Sequence, residues 1–258
     1  MKPVARALGV VLFSAGLLGA ASCGVDLPLT PGPPAGPTEI ALVFSGTLPV
    51  GESSFFSFLN TRPQVLSVTL ASTTLTPGGP AVPTPASLGI GIPSGTECAL
   101  REPPVTVTPR LTAQLAVPLD PGTYCVRIAD AGSFPAPMAF AVRITLGHPS
   151  GDAAPGSETF ASTLAVQGSA SRTFTATQAG LVTLTLQSLG AGASAVGLGL
   201  GIPRLDGTGC LISQSTVAAP GGAPQVSAQV APGAYCVAVF DTGGLTRPVT
   251  FSVQIAFP

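Results

Sequence analysis

Nucleophilic, redox and metal chemistry draws mainly on Cys, His, Asp and Glu, and in this chain those residues are few and mostly arranged in pairs. Cys98 with Cys125 and Cys210 with Cys236 form two similarly spaced pairs, Cys23 stands alone near the start, and His148 is the only histidine. No Cys-x-x-Cys occurs, so a redox dithiol or a zinc site lacks its usual ligands. A Ser/His/Asp arrangement would have to use His148, which lies in a Gly/Pro-rich stretch with nothing to orient it. Asp130 and Asp241 occupy corresponding places ahead of Gly, and a carboxylate pair could serve glycoside hydrolysis. Because each belongs to a separate half of the chain, the expected role is to support a turn through a local side-chain bond. Glu97 and Asp206 lie just before the first cysteine of each pair, and two acids fall short of the roughly six to eight oxygens calcium takes. The Gly-rich runs LGIGIP (88–93) and LGLGIP (198–203) lack the spacing and the Lys-Ser/Thr ending of a phosphate loop. They read as strands with close backbone approach. No catalytic residue is assigned, and no metal or cofactor is expected.

The elements that hold these residues come in two copies. LGIGIP is matched by LGLGIP, PGTYCV (121–126) by PGAYCV (232–237), and VLSVTL (65–70) by LVTLTL (181–186), in the same order and at nearly the same offset. The first copy carries a longer loop before LGIGIP. Each copy closes on strict alternation, Phe140, Val142, Ile144 and Leu146 in one and Phe251, Val253, Ile255 and Phe257 in the other. Period-two alternation marks strands with one face in a core. Leu66, Val68 and Leu70 should point inward, as should Val182, Leu184 and Leu186, while Tyr124, Val126 and Ile128 share one face. Short strands between Gly, Pro and Asp turns, with almost nothing at helical period, predict an all-β fold of two tandem jelly-roll-like or Ig-like sandwiches. The duplication also makes Cys98 to Cys125 and Cys210 to Cys236 the most economical of three possible connectivities. A bridge closing a loop of that size adds about 3.5 kcal/mol on the chain-entropy estimate.

The N-terminus reads as an address. Met1, Lys2 and Arg6 precede an apolar stretch from Ala7 to Leu18 and the small residues Gly19 to Ser22, the layout of an export signal. Ala20, Ala21 and Ser22 before Cys23 resemble a bacterial lipobox, with Ala20 where Leu is usual. Cleavage nearby by the ordinary signal peptidase is the alternative. The lipobox resemblance implies a lipidated Cys23, membrane association through that lipid, and, since Gly24 rather than Asp follows, outer-membrane retention. Two or three acyl chains anchor stably where one binds marginally. The expected organisation is a lipoprotein signal over 1–22, a Pro/Gly-rich tether over 23–38, sandwich one over 39–147, a linker over 148–157 and sandwich two over 158–258. Loss of residues 1–22 would remove Lys2, the chain's sole lysine, together with Arg6, and move the net charge from −1 to −3. Without clustered Lys and Arg there is no electrostatic footprint for nucleic acid. Gly 32 and Pro 28 bring the composition near low complexity, but 45% hydrophobic residues in defined alternation predict a folded chain.

The Phe-rich early strand (Phe55, Phe56 and Phe58; Phe174), then VLSVTL or LVTLTL, LGIGIP or LGLGIP, and Pro-Gly-x-Tyr-Cys-Val resembles bacterial pre-peptidase C-terminal domains. That resemblance implies a compact jelly-roll-like sandwich of the kind appended to secreted enzymes and surface proteins. Cysteine after the Tyr, the scarcity of acids and the lack of an attached peptidase depart from the pattern. Carbohydrate stacking needs exposed Trp or Tyr, and here Trp is absent while Tyr124 and Tyr235 alternate with core Val, consistent with buried, hydrogen-bonded tyrosines. The expected function is a non-catalytic interaction or structural module of the cell envelope with an envelope protein partner. The alternative is a ligand- or carbohydrate-binding lipoprotein whose site lies between the domains or in the loop Ser72–Ala86.

Overall fold

The structure, a computed structural model, describes residues 40–77, 79–147 and 155–258. Cys23 and His148 lie outside them. Among the described residues the chain folds as seventeen strands, all paired antiparallel, and no helix. In the first half β1 (Ile40–Leu48), β9 (Met138–Leu146), β3 (Gln64–Thr74) and β7 (Leu115–Leu119) form one sheet in that order. The second sheet is β2 (Ser53–Asn60), β8 (Gly122–Asp130), β4 (Ala86–Ser94) and β5 (Glu97–Leu100), with β6 (Val105–Val107) also on β4.

The second half repeats this order. One sheet is β10 (Gly156–Leu164), β17 (Val249–Phe257), β12 (Gly180–Leu189) and β15 (Val226–Val230). The other is β11 (Ser169–Ala176), β16 (Gly233–Phe240), β13 (Val196–Pro203) and β14 (Cys210–Ala218). Apart from the neighbours β4–β5, β4–β6 and β13–β14, the chain crosses between the two sheets of each half from strand to strand, so both sheets form only when the whole half is in place.

Alternation places the core as expected. Leu66, Val68 and Leu70 of β3 lie opposite Leu146, Ile144 and Val142 of β9, and all six are buried with Val126 and Ile128 of the facing sheet. Val182, Leu184, Leu186, Val253 and Ile255 do the same in the second half. Aromatic pairs recur at equivalent places. Phe44 meets Phe140 edge-on at 5.0 Å, Phe160 meets Phe251 edge-on at 5.1 Å, and Phe58 and Phe174 lie 6.2 and 6.0 Å from Tyr124 and Tyr235. Each fully buried large side chain contributes about 1.5–3 kcal/mol by leaving water.

Two sequence boundaries shift. β10 begins at Gly156, inside the segment assigned to the linker 148–157. The expected loop Ser72–Ala86 is shorter than its sequence suggested, because Ser72 to Thr74 continue β3 and Ala86 already belongs to β4. The reason is a bulge at Ala71, which shifts the register between Leu70 and Ser72 and lets pairing with β9 resume. The second copy bulges at the equivalent Gln187. One glutamine per copy is bound at each distortion. Gln114 Oε1 accepts from the Leu70 N–H at 2.7 Å, and Gln225 Oε1 accepts from the Leu186 N–H at 2.8 Å.

Candidate functional site

Cys125 and Cys236 alternate with the core-facing residues of β8 and β16 and therefore point to the outer side of their sheets. There they bridge to Cys98 and Cys210, with Cα–Cα distances of 5.9 and 5.7 Å. All four cysteines are buried, and the bridges consume every thiol among the described residues. Tyr124 and Tyr235 lie in the cores, as their alternation with Val predicted. The Tyr235 hydroxyl donates to the Ala231 carbonyl four residues back at 2.6 Å, a tyrosine corner.

Asp130 and Asp241 support turns, but they reach further than local turn chemistry requires. Asp130 Oδ1 accepts from the backbone N–H groups of Gly132, Ser133 and Phe134, while Oδ2 accepts from Gly51 at 2.9 Å. Asp241 repeats this with Gly243, Gly244 and Leu245, and with Gln167 at 2.8 Å. Each carboxylate thus ties the turn after its own strand to the turn between the first two strands of its sandwich. The distant N–H, from Gly51 or Gln167, is the leading reason that both carboxyls lie below the ordinary aspartate range. With four donors committed to each, neither is poised to act as a general acid or base.

Glu97 is exposed on β5. Asp206 is exposed in a turn, where its carboxyl is lowered first by the Thr208 N–H, then by the Thr208 hydroxyl, with the Arg204 charge adding to the effect. No group of three or more His, Cys, Asp or Glu that could hold a metal occurs among the described residues.

The densest polar arrangement lies where the two sandwiches meet. The outer face of the first sandwich's β3–β9 sheet packs on the outer face of the second's β13–β14–β16 sheet. Ala71 and Ala141 are fully buried against residues of the second half. The Ser72 hydroxyl donates to the Ile212 carbonyl. Arg143 is 6% exposed; its Nη1 donates to the Tyr235 hydroxyl at 2.9 Å and its Nη2 to the Ala234 carbonyl at 2.7 Å. Its guanidinium carbon lies 4.4 Å from the Tyr235 ring centroid, within cation–π range. Gly233 makes the approach possible. Its φ of 144° suits glycine, and a Cβ there would stand 3.2 Å from Arg143 Nη1.

Arg143 alternates with the core-facing Val142 and Ile144 and so lies on the outer face of its sheet. Its burial does not follow from the strand pattern. The available signal was the difference between copies, since Ala139, Ala141 and Arg143 on that face correspond to Thr250, Ser252 and Gln254. Small residues around one long cation mark a face that is packed against something.

Beside this contact lies a cleft of about 130 Å³ walled by Thr47, Ser72, Thr74, Phe140, Arg204 and Ile212. That is room for about four waters at roughly 30 Å³ each. The remainder of the expected binding loop is pinned back. The Val82 N–H donates to the Thr73 carbonyl at 2.9 Å and the Thr73 hydroxyl donates to the Val82 carbonyl at 2.5 Å, while Ala81 packs against the Cys210–Cys236 cluster.

No family model matches the chain, and no curated protein does. Solved structures align with the chain at low similarity. A Sulfolobus turreted icosahedral virus structure aligns at 11% identity over 85% of this chain and 93% of its own, with a TM-score of 0.23. The PBSX exported protein XepA aligns at 11% identity over 84% and 86%, with a TM-score of 0.28. A Paenibacillus xanthan lyase aligns at 12% identity over 86% of this chain and 25% of its own, with a TM-score of 0.23.

Proposed function

We propose that this chain is a lipid-anchored cell-envelope protein whose two pre-peptidase C-terminal-like sandwiches act together as a non-catalytic interaction or structural module. The observation that carries this reading is the Arg143 junction. A buried guanidinium held by a hydroxyl, a carbonyl and an aromatic face fixes two sandwiches in one relation, which a module presenting a defined surface requires. The use of other polar groups agrees with it. Asp130 and Asp241 hold turns, Gln114 and Gln225 hold bulges, and the four paired cysteines form bridges.

Lipidation of Cys23 would attach the module through the tether over 23–38 to the outer membrane, with a protein of the envelope as its partner. A sugar site between the sandwiches is disfavoured by the size of the junction cleft and by the burial of both tyrosines. Membrane fractionation tests the anchor. Cys23→Ser should move the protein from the membrane to the soluble fraction, and an unchanged distribution would refute anchoring. Crosslinked co-purification from the native envelope tests the partner, and recovery of the chain alone would count against an interaction role.

A further inference from the structure

The two sandwiches differ along one edge. In the second, β14 runs unbroken beside β13, so that Leu200 and Gly199 lie opposite Gln214 and Ser215, and only Ser213 falls out of register. Gln214 Nε2 then donates to the Ser227 carbonyl on β15 at 3.0 Å, spanning the gap between the two sheets. Leu200 and Val226 beneath it are buried.

In the first sandwich the corresponding strand breaks into β5 and β6. Residues Arg101–Pro104 stand opposite Gly89 and Ile90, which have no ladder partner on that side. Only the Arg101 N–H returns to the strand, donating to the Ile90 carbonyl at 3.0 Å. Pro103 and Pro104 have no N–H to give. Ile90 and Leu115, the counterparts of Leu200 and Val226, are only half-buried. Between the splayed edges lies a cleft of about 280 Å³ walled by Ile90, Val105, Leu115, Val117 and Pro103, with Arg101 at its rim.

We propose that this cleft binds a small anionic amphiphile, a medium-chain carboxylate whose hydrocarbon lies between the sheets and whose head meets Arg101. The volume is about twice that of a cavity that admits benzene, about 150 Å³, and sits near the lower end of the small-molecule range, about 300 Å³. Apolar walls suit the chain. The Arg101 guanidinium carbon lies over the Tyr124 ring at 6.0 Å from its centroid, and an arginine fork can meet a carboxylate with two N–H donors. Arg101 forms no ion pair among the described residues. Glu102 is also on the rim, and it opposes rather than attracts the anion.

The test is an amide NMR titration of the full chain with octanoate. Saturable shifts should appear at Ile90, Arg101, Val105 and Val117 and be absent at Leu200, Gln214 and Ala228. Arg101→Gln should weaken octanoate by about tenfold or more, the effect expected for a lost charge-assisted bond, and leave octanol unchanged. Val117→Phe, which fills the cleft, should abolish both, whereas Ala228→Phe at the equivalent place in the second copy should not. If Val117→Phe does not fold, the wild-type shift map decides. The proposal is overturned by an absence of saturable shifts at millimolar octanoate, by shifts centred elsewhere, by equal loss of octanoate and octanol in Arg101→Gln, or by tighter binding of octylammonium.

Discussion

Arg143 and Gln254 occupy the same place in the two copies, yet one is buried in the junction and the other is exposed to solvent. Their strands are alike, so the difference comes from what each face meets. A second single-residue contrast concerns backbone conformation. The turn between the first two strands has Gly51 at φ 77° in one copy and Gln167 at φ 56° in the other, the sole non-glycine residue with positive φ among those described. Both give their N–H to the turn-binding aspartate. A side chain in the left-handed region costs about 1–2 kcal/mol, whereas glycine enters freely. Gln167→Gly should therefore stabilise the protein by about 0.5–1 kcal/mol in chemical denaturation, once the extra freedom glycine brings to the unfolded chain is offset. Gly51→Gln should destabilise it. An unchanged midpoint in both variants would show that the turn carries no strain.

At the level of elements, the same aspartate clamp joins two turns in each sandwich. Both carboxyls are held below their ordinary range by the N–H groups they accept, so the folded state favours the charged form. The linked stabilisation is thus fully present above the unfolded aspartate value, about 3.9, and is lost as pH falls through the lower folded values. Thermal midpoints should hold steady from neutral pH to about pH 5 and decline below about pH 4. Asp130→Asn with Asp241→Asn should lower the neutral-pH midpoint, because an amide NH₂ faces a backbone donor, and should flatten the acid slope. A slope identical to wild type would assign acid sensitivity to other carboxylates. The turn role of these residues was legible from Asp-x-Gly at matching places. The long-range half was not, because the Gly51 and Gln167 donors lie 79 and 74 residues away. The glutamines at the bulges were not legible in the sequence for the same reason, since nothing local to Gln114 marks a register shift at Leu70.

For the whole molecule, the junction should make two sandwiches melt together. Arg143→Ala removes two donors and leaves the Ala234 carbonyl without its guanidinium partner, an expected loss of about 2–4 kcal/mol. Gln254→Ala, exposed at the equivalent position, should change stability by less than about 0.5 kcal/mol. Calorimetry should show one transition for the wild type and two for Arg143→Ala, because each sandwich keeps its own core and disulfide. A single transition in both, or equal effects of the two substitutions, would remove Arg143 from the coupling.

The sequence by itself determined the all-β class, the duplication, the inward faces of the main strands and the pairing of four cysteines. These follow from periodicity and repetition along the chain, which strand geometry converts directly into faces and neighbours. Tertiary structure alone decided which outer face is covered, how Arg143 finds Tyr235, and why one sandwich is open between Ile90 and Val117 while its copy is closed. Those outcomes depend on contacts between segments far apart in the chain and on one strand break, and a sequence carries such relations only through the fold it makes.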